Sequence, residues 1–155
     1  MVIQGKLLSY GDDLSEAYSI RRKVFIEEDS IPEHREFDGM DDMSMHVIVY
    51  ETERNRIPVA TGRINFDGSN CEIGHIAVLR EYRNRKYGDF TVRMLMNKAF
   101  TAGISNIECR AEERAKVFFE KIGFSVVYDE FEDGQKYYRM KINENEVIKE
   151  CSKKK

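Results

Sequence analysis

The sequence predicts an α/β fold of the α+β kind, with a mixed, mostly antiparallel central sheet and helices on both faces. Three observations carry this. Between His46 and Cys71, short apolar stretches alternate with tight turn signals, the mark of an antiparallel meander. A long amphipathic segment, Gly88 to Ala102, then separates two β-like stretches, and strands joined through a helix run parallel. The chain closes on FSVVYDEF and KYYRMKI around EDGQ, a hairpin.

Residues 2–9 predict an edge-like first strand, interrupted by Gly11, Asp12 and Asp13. Leu14, Ala17, Tyr18, Val24 and Phe25 recur at helical spacing, which predicts a helix to about Glu28 with Asp13 as N-cap. Arg21 interrupts that apolar stripe, and with Arg22 it reads first as surface charge. Pro32 opens a loop or single helical turn holding His34, Glu36, Asp38 and Asp41. Their spacing fits no coordination motif, so a solvated loop is the ordinary reading, although three acids together also hint at a cationic partner. HVIVY, a polar turn at Glu53 to Arg56, IPVATGRINF and a turn at Asp67 and Gly68 lead to a central strand ending at Val78. Strict alternation puts Glu72, Gly74, Ile76 and Val78 on one side of it, and Ile73, His75 and Ala77 on the other. Val92, Leu95, Met96, Ala99 and Ala102 then form one helical face, stopped by Gly103. Ile104 to Cys109 predicts a strand parallel to residues 72–78, and Ala115, Phe118, Phe119 and Ile122 a second helix closed by Gly123.

A length of 155 residues suits one domain, placed at 1–150, with 151–155 as a basic tail. The net charge of -3 argues against nucleic acid as a partner. There is no apolar run of transmembrane length and no secretory apolar core near the start, so no membrane role is expected. Cys71, Cys109 and Cys151 share no metal-like spacing and cannot all pair, which fits a reducing cytoplasm and a protein without metal. Cys109 reads as a small core residue rather than a nucleophile.

Between the central strand and its helix lie Arg83, Arg85 and Lys86. Strand, basic loop and helix N-terminus in that order make an anion site suited to a diphosphate, because unpaired amides and the positive end of the helix dipole converge on the cationic side chains. The run IAVLREYRNRKYG resembles motif A of the GNAT superfamily of N-acetyltransferases, with Arg83 and Gly88 in place and Lys86 where the motif has its first glycine. VFIEEDSIPEHREFDGMD, PVATGRI and FFEKIGF are similar to the YjcF-like or ElaA-like branch of small bacterial members, so the resemblance runs from about Ala17 to Ile142.

The resemblance implies a sheet in which two parallel strands splay apart, and acetyl-CoA as co-substrate in the gap. Ile76, Ala77 and Val78 would meet it through main chain, and Arg83, Asn84, Arg85, Lys86, Tyr87, Gly88 and Asp89 would hold its diphosphate. Glu112 and Phe119 would lie against it, standing where relatives have Gln and Tyr. Lys116 and Lys121 would be within reach of its 3′-phosphate, though a solvated helix face explains them equally. The implied reaction moves acetyl to a primary amine, on a small molecule or peptide, by direct attack in a ternary complex.

Glu72 is the first candidate for the base that accepts the amine proton, with a solvent-facing strand residue the equal alternative. His75 and His46 stand behind it. Tyr128, Tyr137 and Tyr138 are candidates for the acid that protonates the departing thiolate, each also readable as a hairpin aromatic. The rival reading is a non-catalytic acyl-CoA-binding or interaction domain, and either a monomer or a homodimer is compatible.

Overall fold

The computed structural model describes residues 3–148; the basic tail and Cys151 expected at the C-terminus lie outside them. The sheet has seven strands: β1 (Ile3–Leu8), β2 (Met45–Glu51), β3 (Ile57–Asp67), β4 (Asn70–Val78), β5 (Asn106–Glu112), β6 (Ser125–Glu132) and β7 (Gln135–Asn143). Their spatial order is β1-β2-β3-β4-β5-β7-β6. Every neighbouring pair is antiparallel except β4 and β5, which are parallel because helix α3 (Tyr87–Thr101) carries the chain between them.

Helices cover both faces of this sheet, and the sequence shows why. HVIVY in β2 is apolar almost throughout because Val47 and Val49 pack under α3, while Ile48 and Tyr50 meet Ala17 of helix α1 (Ser15–Arg21) on the other face. The apolar stripe of α3, Val92, Leu95, Met96 and Ala99, lies in the main core with Phe119 and Ile122 of α4 (Glu113–Ile122). The predicted first helix does reach Glu28, but from Arg22 onward its turns widen to the π form. The N-cap is Leu14 rather than the expected Asp13, which sits one residue earlier and accepts the Ser15 N–H at 2.9 Å. The acidic stretch folds as one turn, α2 (Glu33–Glu36), followed by a 3₁₀ turn at Asp41–Met43.

The strand expected at 104–109 begins and ends later, at Asn106–Glu112. Ile104 is spent closing α3, its N–H donating to the Ala99 carbonyl at 3.0 Å. The final hairpin turns on Asp133 and Gly134, at φ 53° and 79°, the paired left-handed conformations of a two-residue hairpin turn. Arg35 of α2 ties that turn down through Glu132 at 3.1 Å and Asp133 at 3.4 Å.

Candidate active site

The parallel strands stay together only briefly. Cys71, Glu72 and Ile73 register with Ile107, Glu108 and Cys109, and among the described residues Ile76, Ala77 and Val78 have no partner on β5. The parting coincides with a β-bulge. Between the pairs Arg63↔Gly74 and Thr61↔Ala77, β3 has one residue, Gly62, where β4 has His75 and Ile76. His75 takes the extra length at φ 52°. Gly62 has no room for a side chain: a Cβ there would lie 2.6 Å from Ile76 and 2.9 Å from Thr91 and Leu95.

The bulge corrects the alternation read from sequence. Ile73, Ile76 and Val78 all pack with the main core, whereas Ala77 meets Ile20 and Val24 under α1. Glu72, pointing opposite to its buried neighbours Cys71 and Ile73, therefore shares the α1 face with His75, which strict alternation kept apart.

That face holds a buried charge network which the sequence hid. Arg21, expected at the surface, is 1% exposed. Its Nε donates to Glu36 Oε2 at 2.7 Å, its Nη1 to Asp41 Oδ1 at 2.7 Å and its Nη2 to the Glu36 carbonyl at 2.9 Å. Arg63 of β3 donates to both Asp38 oxygens at 2.9 Å and to Asp41 Oδ1 at 3.0 Å. Glu36, Asp38 and Asp41 are thus not a solvated run but the counter-ions of two arginines. Hydrogen bonds from Arg63 hold the Asp38 carboxyl far below the usual carboxylate range. Burial pushes Asp41 upward, yet the bonds from Arg21 and Arg63 outweigh it and leave that group depressed too.

His75 completes the network. Its Nδ1 lies 2.6 Å from Glu36 Oε2, its Nε2 lies 3.8 Å from Asp38 Oδ2, and Phe25 packs edge-on against the ring at 6.4 Å. His46, a base candidate in the sequence, is buried beside the same arginines and binds the Asp41 carbonyl through Nε2 at 3.0 Å. Burial pushes its proton affinity down, and its place is structural.

The basic loop follows β4. Lys86, in the position where a glycine was missing, is left-handed at φ 73°, and Asn84 is left-handed at 64°. Lysine thus follows the backbone path that glycine takes more cheaply, and it heads α3 with no side-chain cap. The amides of Gly88 and Asp89 lie in the first turn of α3, where helix geometry supplies no intrahelical acceptor. Arg83 donates from Nε to the Val78 carbonyl at 3.0 Å and, through Nη1 and Nη2, to both oxygens of Glu28 at 2.7 Å. Arg85 stacks over Tyr82 at 5.7 Å. Asp89 pairs with Arg93 at 2.9 Å, and the Tyr87 ring is buried in the core, so from Tyr87 only the backbone borders the loop.

This architecture is that of known proteins. The family model described as Acetyltransferase (GNAT) family matches residues 14–124. The chain belongs to the GNAT acetyltransferase family. The uncharacterized protein YyaT of Bacillus subtilis (strain 168) is 34% identical over 126 residues, covering 79% of this chain and 83% of that protein. The uncharacterized N-acetyltransferase YjcF of the same organism is 29% identical over 116 residues, covering 75% and 81%. The crystal structure of Escherichia coli ElaA superposes with a TM-score of 0.77 at 21% identity, covering 90% of this chain and all but 1% of that one (99%).

In the GNAT frame the remaining candidates separate. Glu72 is held by Arg139 Nη1 at 2.8 Å, and its side chain is 48% exposed. Phe119, where a tyrosine was looked for, is packed against Phe118 and Phe124 in the core. Tyr138 is buried on the α4 side beneath Lys116, and Tyr128 is exposed on edge strand β6. Tyr137 lies under the Arg110 guanidinium at 3.7 Å on the same face as Glu72. Glu112 accepts from Arg114 Nε at 3.1 Å, and Arg114 also reaches Asp29 at 2.8 Å. These side chains border an open cleft of about 620 Å³ that also touches Glu28, Gln135 and Lys136. Cys109 is buried, as expected of a core residue, and Cys71 is buried as well; burial first, then Glu108, pushes Cys71 up to about 11.

Proposed function

We propose that this GNAT protein is an acetyl-CoA-dependent N-acetyltransferase acting on a primary amine. The reading rests on one feature above others: β4 loses its parallel partner at the bulge, immediately before a basic loop that enters α3 through a left-handed residue. The edge of Ile76, Ala77 and Val78 can pair with the amides of an extended ligand, as in strand addition. Arg83, Arg85, Lys86 and the first-turn amides of α3 form a donor set that fits a diphosphate. Bound acetyl-CoA supplies an activated acetyl thioester. The chain supplies main-chain donors at the strand gap and a polar face, on the α1 side, from which an amine can approach.

The acceptor does not meet Glu36, Asp38 and Asp41 as free anions, since Arg21 and Arg63 already neutralise them. Groups facing it are the exposed Glu72 and Glu108 with Arg139 among them. With Phe119 in the core, no hydroxyl at that position protonates the leaving sulfur, and a thiolate is stable enough at neutral pH to depart without one. The test has two parts. Acetyl-CoA at about a hundredfold its dissociation constant should stabilise the fold by about 2.7 kcal/mol in thermal melts. Acetyl-CoA with a panel of amines should release free thiol. Stabilisation without thiol release from any amine would favour the binding-module reading, to which the buried Phe119 lends its support.

A further inference from the structure

The geometry points to His75 as the group that accepts the amine proton, with Glu36 and Arg21 as the residues that position it. This rests on the acetyltransfer reading above and adds to it the identity of the base and of its support. The proton's location follows from the contacts. Glu36 Oε2 lies 2.7 Å from Arg21 Nε and 2.6 Å from His75 Nδ1. A carboxylate engaged by a guanidinium only accepts, so Nδ1 carries hydrogen, and in the neutral ring Nε2 holds the lone pair. The nearest acid to Nε2, Asp38 Oδ2 at 3.8 Å, is beyond hydrogen-bonding distance and is itself fixed by Arg63. A histidine held in one tautomer by a buried carboxylate, itself held by a buried arginine, is the arrangement that proton abstraction from a nucleophile requires.

Its position in the fold agrees. His75 is the bulged residue, two beyond the last β4–β5 pair, so it stands where the strands part and the gap opens. A bulge at that point re-aims a side chain that regular alternation would have buried under α3. Its ring is walled by Phe25 on one side and remains partly exposed on the other. Glu72, by contrast, lies on the paired segment with its carboxylate engaged by Arg139.

In the step itself the amine nitrogen bonds to the acetyl carbonyl carbon as its N–H bond breaks. The proton passes to His75 Nε2, which later releases it to solvent, and the C–S bond breaks with its electron pair on sulfur, which leaves as thiolate and takes up a proton from solvent. The charged groups facing His75 are Glu36 from α2 and Asp38 from the loop after it, with Arg21 of α1 and Arg63 of β3 behind them.

Two variants suit the left-handed backbone at this residue, His75→Asn and His75→Gly. Both should keep the melting shift with acetyl-CoA while turnover falls by about 10²–10⁴-fold. Added imidazole should restore part of the turnover of His75→Gly, a response that a purely structural histidine would not give. Glu36→Gln should lower kcat with little change in KM for acetyl-CoA and alter the acidic limb of the kcat/KM profile. Turnover of His75→Asn within twofold of the parent overturns the assignment of the base and leaves the acetyltransferase reading intact. No thiol release by the parent with any amine, despite a melting shift, overturns both.

Discussion

Replacing Arg21 with methionine isolates what the buried network contributes to stability. Methionine fills most of the space of the arginine stem but supplies no donor, so three hydrogen bonds vanish: to Glu36 Oε2 and Asp41 Oδ1, each at 2.7 Å, and to the Glu36 carbonyl at 2.9 Å. Among the described residues, the Glu36 side chain keeps only His75, and that of Asp41 only Arg63 and the edge of His46. Removing one partner of a buried ion pair costs about 3–5 kcal/mol, because the remaining charge stays desolvated. In a chain of this size, where 1 kcal/mol moves the midpoint by roughly 2–4 °C, the melting temperature should fall by about 6–20 °C. The assay is urea unfolding followed by circular dichroism, with thermal melts alongside. Arg22→Met is the control: its pair with Glu33 is exposed, 45% and 63% by side chain, and its loss should leave the midpoint nearly unchanged. Equal losses from the two substitutions would refute the claim that burial sets the cost.

Three further outcomes are expected. Asp38 and Asp41 are depressed below their ordinary value of 3.8, so the stability they add is present above that value and lost as pH falls through the folded-state values. Urea midpoints should decline below about pH 4, and a flat profile there contradicts the assignment. Glu28 occupies Arg83 through both oxygens, so Glu28→Gln should free the guanidinium and tighten acetyl-CoA binding. Because the pair is partly exposed and worth at most about 1 kcal/mol, the gain should be about fivefold or less; weaker binding in calorimetry would make Glu28 an orienting partner instead. In a Cys151→Ser background, Cys71 and Cys109 should resist Ellman's reagent until the protein is unfolded, since burial raises both thiols. Rapid labelling of the native protein would place one of them at an open surface.

Most of the fold was legible because its signals are local. The period of α3, the Asp133–Gly134 turn and the apolar run of β2 each follow from residues adjacent in sequence. The network was not, because it joins Arg21 to acids fifteen and twenty positions away, and each member alone looks like ordinary surface charge. A trace was present, however: Arg21 interrupts a helical stripe formed by Ala17, Ile20 and Val24, all of them buried. An arginine on an apolar face needs counter-ions, and the carboxylates at 36, 38 and 41 follow it. The bulge escaped for a different reason. It shows only in the pairing of two strands, where Gly62 of β3 stands opposite both His75 and Ile76, and no pattern within β4 alone marks it. Lys86 was readable in one respect, since the missing glycine posed the question of its backbone path, and the left-handed conformation answers it.

The bridge from Arg35 to the tip of the final hairpin joins two parts of the chain almost a hundred residues apart. It spans the α2 turn and the β6–β7 edge with surface ion pairs, through Glu132 and Asp133, while Arg110 draws Glu132 from within the sheet at 2.6 Å. Since exposed ion pairs weaken as ionic strength rises, salt should loosen this tie between the α2 turn and the hairpin while the buried pairs of Arg21 and Arg63 hold.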